Sequence, residues 1–176
     1  MSQDNLEKVK SNIVLEMITV AHDYCLFTES AKGKTKADLL GYYQKVLPLL
    51  YIKGALLPQI EPEDLSANIK YVTEEHWQEV FMALEELFGN DDKYWHPDSN
   101  NDLIKESLAD NLADIYQDMK DFVILFQDAR LAAKENAVAD FFRLFKTHWG
   151  LRVPKALKHI HNLLYQELIS EEETLF

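Results

Sequence analysis

The 176-residue chain has one cysteine, five prolines and five glycines, and none of its apolar runs is long. Each scarcity excludes something. Cys25 has no second cysteine to pair with, so a disulfide scaffold is ruled out and a small core side chain is the expected reading. Few Gly and Pro exclude collagen-like and low-complexity chains. No apolar stretch approaches the roughly 18 residues of a membrane span, and the first twenty residues mix Asp4, Glu7, Lys8 and Lys10 without an apolar block. A protein of the cytoplasm, without secretion signal or membrane contact, is the expectation. Glycine-rich phosphate loops, nucleophile elbows, Cys-x-x-Cys and His-Glu-x-x-His are also missing, which leans against an enzyme and gives no metal or cofactor.

What is present is 47% hydrophobic and 27% charged residues, enough for one core at this length. The charge is unevenly placed. The net value is -12, and residues 61–128 hold 18 acids against 4 bases, while Phe141 to Gln166 holds five bases, three histidines and no acid. Such a chain repels phosphate backbones, so nucleic acid is not an expected partner beyond a local contact through Arg152, Lys155 and Lys158.

Apolar residues recur at helical spacing almost throughout, which predicts an all-α fold: one domain over 1–176, an irregular up-and-down bundle of about six helices. The first helix is expected over 3–29. The second, capped by Thr35 with Asp38, carries Pro48 inside it and is expected to kink there. Thr73 caps the third. Residues 90–101 read as a polar loop pinned to the body by Tyr94 and Trp95, and a long fourth helix is expected over about 102–128, burying Ile104 among others. The break before the fifth helix, in 128–136, has no Gly or Pro to mark it. The sixth is expected to begin at Pro154, with Gly54, Gly89 and Gly150 each ending a helix and an acidic, solvated tail from about 170.

Three stretches carry a resemblance: Tyr42-Tyr43-x-x-Val-Leu-Pro48-Leu-Leu-Tyr51, then Leu108-Ala-Asp110-x-Leu-Ala-Asp114-Ile-Tyr116-x-Asp118-x-Lys120-x-Phe122, then His148-Trp149-Gly150 followed by Ala156-Leu157-x-x-Ile160-His161. Together they resemble an uncharacterised bacterial family, domain of unknown function 5063. The resemblance implies a single helical domain and brings no activity or site residue with it.

Candidate chemistry must therefore come from the residues. At about 100° per residue, Ser107, Asn111, Asp114 and Asp118 form a polar row flanking the core stripe of the fourth helix, with Asp121 just outside it. His148 and His161 are expected to face inward from the fifth and sixth helices, and His159 outward. Asp114, Asp118, Asp121, His148 and His161 are thus a candidate polar site, weighed against core histidines satisfied by ordinary partners. Tyr43, Tyr51, Trp95, Tyr116 and Trp149 are candidate pocket aromatics, with plain packing as the commoner role of such residues. Asp98 to Asp102 mimics half a calcium loop, but Leu103 and Ala109 stand where Gly and Glu are needed. The leading expectation is a helical interaction protein that docks a basic partner on its acidic middle, the fourth helix included. The alternative is a small ligand-binding or metal-binding domain, or a hydrolase, using the polar site.

Overall fold

The computed structural model describes the backbone of residues 2–173 and the side chains of 3–166. The tail expected to be acidic and solvated lies outside the described side chains. Seven helices and one hairpin follow in order: α1 Ser2–Val9, α2 Asn12–Glu29, α3 Lys36–Ala55, α4 Glu74–Phe88, β1 Lys93–Pro97, β2 Leu103–Ser107, α5 Leu108–Gln127, α6 Leu131–Thr147 and α7 Trp149–Glu173. The fold is a helical bundle, as the periodicity implied. No described helix is long and apolar enough to cross a membrane.

Caps set most boundaries. Thr35 and Asp38 close a reciprocal capping box on α3, and Thr73 accepts the His76 amide at the start of α4. Ser11 does the same for Val14, which splits the expected first helix in two. Gly89 ends α4 with a positive φ of 56°, a conformation only glycine takes without strain. The break before α6 is made by Asp128, whose carboxylate takes the Arg130 amide and guanidinium.

Gly54 stands where expected, one residue before α3 ends at Ala55, but Gly150 does not end a helix and lies in the first turn of α7; each lets another chain segment approach. A Cβ on Gly54 would stand 2.4 Å from Trp149, and one on Gly150 would stand 2.0 Å from the Phe145 carbonyl oxygen. Accordingly α7 begins at Trp149, not Pro154, and Pro154 sits inside it. Pro48 likewise lies inside α3, which continues through it to Ala55.

The largest departure is the hairpin. Lys93 to Pro97 pairs antiparallel with Leu103 to Ser107, Trp95 opposite Lys105, and the expected calcium-like stretch is its turn. Asp98 there accepts the amides of Asn100 and Asp102, while Asn101 takes φ 67°. Five-residue strands are too short to outweigh helical periodicity in sequence. Ile104, expected in the core, is 39% exposed on β2.

Helix α5 is the axis of the bundle and packs against α2, α4, α6 and α7. Around it Phe122, Phe141 and Trp149 stack in series, with ring centroids 4.0 and 4.9 Å apart. Trp149 is fully buried and donates its indole N–H to the Phe141 carbonyl at 3.2 Å. This joint fixes where α7 starts, and so where His148 and Arg152 stand.

Candidate functional site

The polar row of α5 does not face solvent. Asp118 and Asp121 are buried and Asp114 nearly so, because α4, the 61–73 connector and the α6–α7 corner close over them. Each carboxylate has partners inside the protein. Asp121 accepts the backbone amides of Tyr71 at 2.7 Å and Val72 at 2.9 Å, which ties the connector to α5. Asp114 accepts the Trp77 indole N–H at 2.8 Å and ion-pairs with Arg152.

His148 is where the sequence pointed, beside Asp114 and Asp118. It occupies the corner between α6 and α7, half-buried, with Nδ1 2.6 Å from Asp118 and Nε2 3.7 Å from Asp114. Arg152 Nη2 lies 3.3 Å from the same Nε2. A guanidinium only donates, so in the neutral ring Nδ1–H donates to Asp118 and Nε2 accepts from Arg152. The bond to Asp118 raises the His148 pKa above its ordinary value, against the opposing effects of burial and Arg152. Burial raises that of Asp118, and His148 only partly offsets it.

The network continues toward the hairpin. The Asn111 amide donates to Tyr94 Oη, Glu106 and the Ser107 carbonyl, each at 3.0 Å. Lys155 donates to Glu106 at 2.6 Å. Burial pushes the Glu106 carboxyl up, but Lys155 and Asn111 outweigh it and hold it below the usual range. Asp92, fully buried, accepts the Ala109 amide at 2.7 Å and the Ser107 hydroxyl, fastening the hairpin to the start of α5.

Two expected members are elsewhere. His161 is exposed, tilted against Tyr165 at 4.8 Å, because the inward stripe of α7 is Val153, Ala156 and Ile160. His159, expected outward, instead stacks on Tyr94 at 4.1 Å and meets the Asp91 carbonyl at 2.7 Å. The candidate aromatics do not line one pocket. Tyr43 and Trp149 are core, Tyr51 packs half-exposed on Phe145, and Tyr116 donates to Glu29. Trp95 is 65% exposed, so of the two aromatics expected to pin this segment Tyr94 alone does so. Among the described residues no three His, Cys, Asp or Glu side chains are placed to share a metal ion. Cys25 is buried, and burial pushes its thiol far above the nucleophilic range.

Sequence reasoning missed Arg152 as the centre of this network. The signal was the spacing: residues 148 and 152 are one turn apart, but reading Gly150 as a stop separated them. With Arg152 on Asp114 and Lys155 on Glu106, two of the three bases considered for a nucleic-acid contact are spent internally, and Lys158 alone stays exposed.

A search of curated proteins finds no match. A crystal structure of protein BF1032 from Bacteroides fragilis, a structural-genomics target, is similar: TM-score 0.81 and 29% identity, over 89% of this chain and 94% of that one. The model of the family described as Domain of unknown function (DUF5063) matches residues 8–166. The chain therefore belongs to the DUF5063 family.

Proposed function

We propose that the protein is a non-enzymatic interaction module of the cytoplasm that docks a basic, amphipathic helical segment of a partner protein along α4. The observation that carries this reading is the outer face of α4. Glu74, Glu75, Glu79 and Glu86 are exposed there, none paired with a cation among the described residues, and they flank Met82, which is 57% exposed. Glu75, Glu79, Met82 and Glu86 fall on one stripe at helical spacing. Glu74 and Glu75 suit the N-terminal turn. Glu85 and Glu86 stand in the last turn, where the helix end disfavours anions; Lys93 offsets Glu85 at 3.0 Å, and among the described residues Glu86 has no ion pair. A local rule broken on a surface, beside an exposed apolar side chain, supports a binding role. Asp114, Asp118 and Asp121 of α5, by contrast, serve the interior, so the expected docking face over residues 74–128 narrows to α4. A lone reduced thiol such as Cys25 suits the cytoplasm.

The test uses a fluorescent amphipathic peptide with a Leu stripe flanked by Lys. Its affinity is measured for wild type, for Glu75→Gln/Glu79→Gln/Glu86→Gln, and for the charge-matched Glu7→Gln/Glu61→Gln/Glu63→Gln. A privileged α4 face loses about tenfold in affinity in the first triple variant and little in the second. Equal losses in the two variants contradict the proposal, because they would reflect net charge alone.

A further inference from the structure

Beside Arg152 lies a cleft of about 460 Å³, bounded by α4, the hairpin, the first turn of α5 and α7. That volume suits a small molecule. Unlike the network behind it, the cleft keeps one acid, Asp110, and one base, Lys105, without an ion-pair partner among the described residues.

The negative one is Asp110. In α3 the corresponding Asp38 folds back to cap the backbone of Thr35, but in α5 Ser107 receives the Asp110 amide without any return bond. The Asp110 carboxylate accepts no hydrogen bond from the described residues and borders the cleft instead. Burial, then the neighbouring Asp114, raise its pKa, and Arg152 and Lys93 offset this only in part.

The positive groups are Lys105 and Arg152. Lys105 is exposed at the rim and has no partner among the described residues. Arg152 is committed through its Nη atoms to Asp114, Asn111 and His148, and only its Nε–H, the one buried side-chain polar atom among the described residues without a partner, is left over. The other charges of the cleft are committed. Lys93 is bound to Asp92 at 2.7 Å and Glu85 at 3.0 Å, and Glu106 is bound to Lys155 and Asn111. One wall is the Phe81 ring, stacked on Trp77 with centroids 5.2 Å apart.

A plain cation would satisfy Asp110 and meet Lys105 and Arg152 as like charges. A plain anion would meet Asp110 the same way. We infer that the cleft binds a zwitterion, an α-amino acid with an aromatic or other apolar side chain: its ammonium on Asp110, its carboxylate between Lys105 and Arg152, its side chain against Phe81. The site lies on the Phe81 edge of α4, apart from the Glu79–Glu86 stripe, and does not depend on the docking proposal.

Three probes separate the charges: L-phenylalanine, phenethylamine without the carboxylate, and 3-phenylpropionate without the ammonium. Each is titrated into ¹⁵N-labelled protein to about 10 mM, a range that detects affinities down to the millimolar level. L-phenylalanine is expected to shift the amides of Lys105, Ser107 and Asp110 and to bind about tenfold tighter than either single-charge probe. Asp110→Asn should weaken L-phenylalanine and phenethylamine but not phenylpropionate, and Lys105→Met should weaken L-phenylalanine and phenylpropionate but not phenethylamine. Lys105 is a surface residue, so its variant keeps the test alive if the Asp110 variant is unstable. No shift with any probe, equal affinity for all three, or unchanged L-phenylalanine affinity in Lys105→Met overturns the inference.

Discussion

Replacing Gly54 by alanine tests the joint that places His148 and Arg152, because two physical effects there have opposite signs. In a helix interior Gly to Ala gains about 0.8 to 1 kcal/mol of intrinsic propensity, an upper bound for Gly54 in the last turn of α3. Against that, the new Cβ would stand 2.4 and 2.9 Å from two Trp149 ring carbons and 2.8 Å from Phe145 Cδ2. Ordinary carbon contacts need about 3.5 to 4 Å, so a neighbour must move by about 1 Å. Trp149 has little room to do so: it is fully buried, stacked on Phe141 and hydrogen-bonded to the Phe141 carbonyl. Overpacking of this kind costs about 1 to 3 kcal/mol or more, which leaves a net loss between about 0 and 3 kcal/mol. Two companions calibrate the result. Gly41 has nothing within 4 Å of a Cβ, so Gly41→Ala should stabilise by about 0.8 to 1 kcal/mol. At Gly150 the Cβ would meet backbone, 2.0 Å from the Phe145 oxygen, so Gly150→Ala should lose the most, about 3 kcal/mol or more. Urea denaturation with unchanged m-values reads all three. A Gly54→Ala variant as stabilised as Gly41→Ala would refute the packing of α3 on the start of α7.

Four further outcomes follow from single residues. His148 has a raised folded pKa, so the stability it contributes is complete below its unfolded value of about 6.5 and is lost as pH rises through the folded value; denaturation against pH should show this slope flattened in His148→Gln, and identical slopes would remove the Asp118 bond from the account. Asp118 also titrates upward on folding, so its part of the stability falls as pH rises above about 3.8, opposite to ordinary acid denaturation. Asp121→Ala leaves the amides of Tyr71 and Val72 without their acceptor and should cost about 2 to 4 kcal/mol, measured by thermal or urea unfolding; a loss below about 0.5 kcal/mol would show the connector is not held there. Trp95→Ala should change stability by less than about 0.5 kcal/mol, since the side chain is 65% exposed; a large loss would mean the hairpin packs by Trp95 as well as Tyr94.

The parts of the fold that were legible in sequence are those governed by local chemistry. The Thr35–Asp38 capping box, the Thr73 cap and the Gly89 stop each depend on a few neighbouring residues, and each is found as expected. Gly54 also marks the end of α3, but the close approach of Trp149 to it, and of the Phe145 carbonyl to Gly150, is something no local pattern reveals. The hairpin escaped because Tyr94, His96 and Glu106 make its inner face polar, so its burial rests on hydrogen bonds and a Tyr94–His159 stack. For the site, the helical wheel brought Asp114 and Asp118 to the flank of the core, and His148 does meet them. What the wheel lacked was the elements that cover that flank, so an interior network read as an acidic surface.

The acidic residues divide into two groups: Asp114, Asp118 and Asp121 of α5 hold the protein together, and Glu75, Glu79 and Glu86 of α4 face outward. The direct measurement is the unfolding free energy of two triple variants, Asp114→Asn/Asp118→Asn/Asp121→Asn and Glu75→Gln/Glu79→Gln/Glu86→Gln. The account predicts that the α5 variant loses about 3 kcal/mol or more through weakened bonds to Arg152, His148 and two backbone amides, whereas the α4 variant is as stable as wild type or slightly more so because self-repulsion falls. An α5 variant as stable as wild type, or an α4 variant that loses as much, would contradict it.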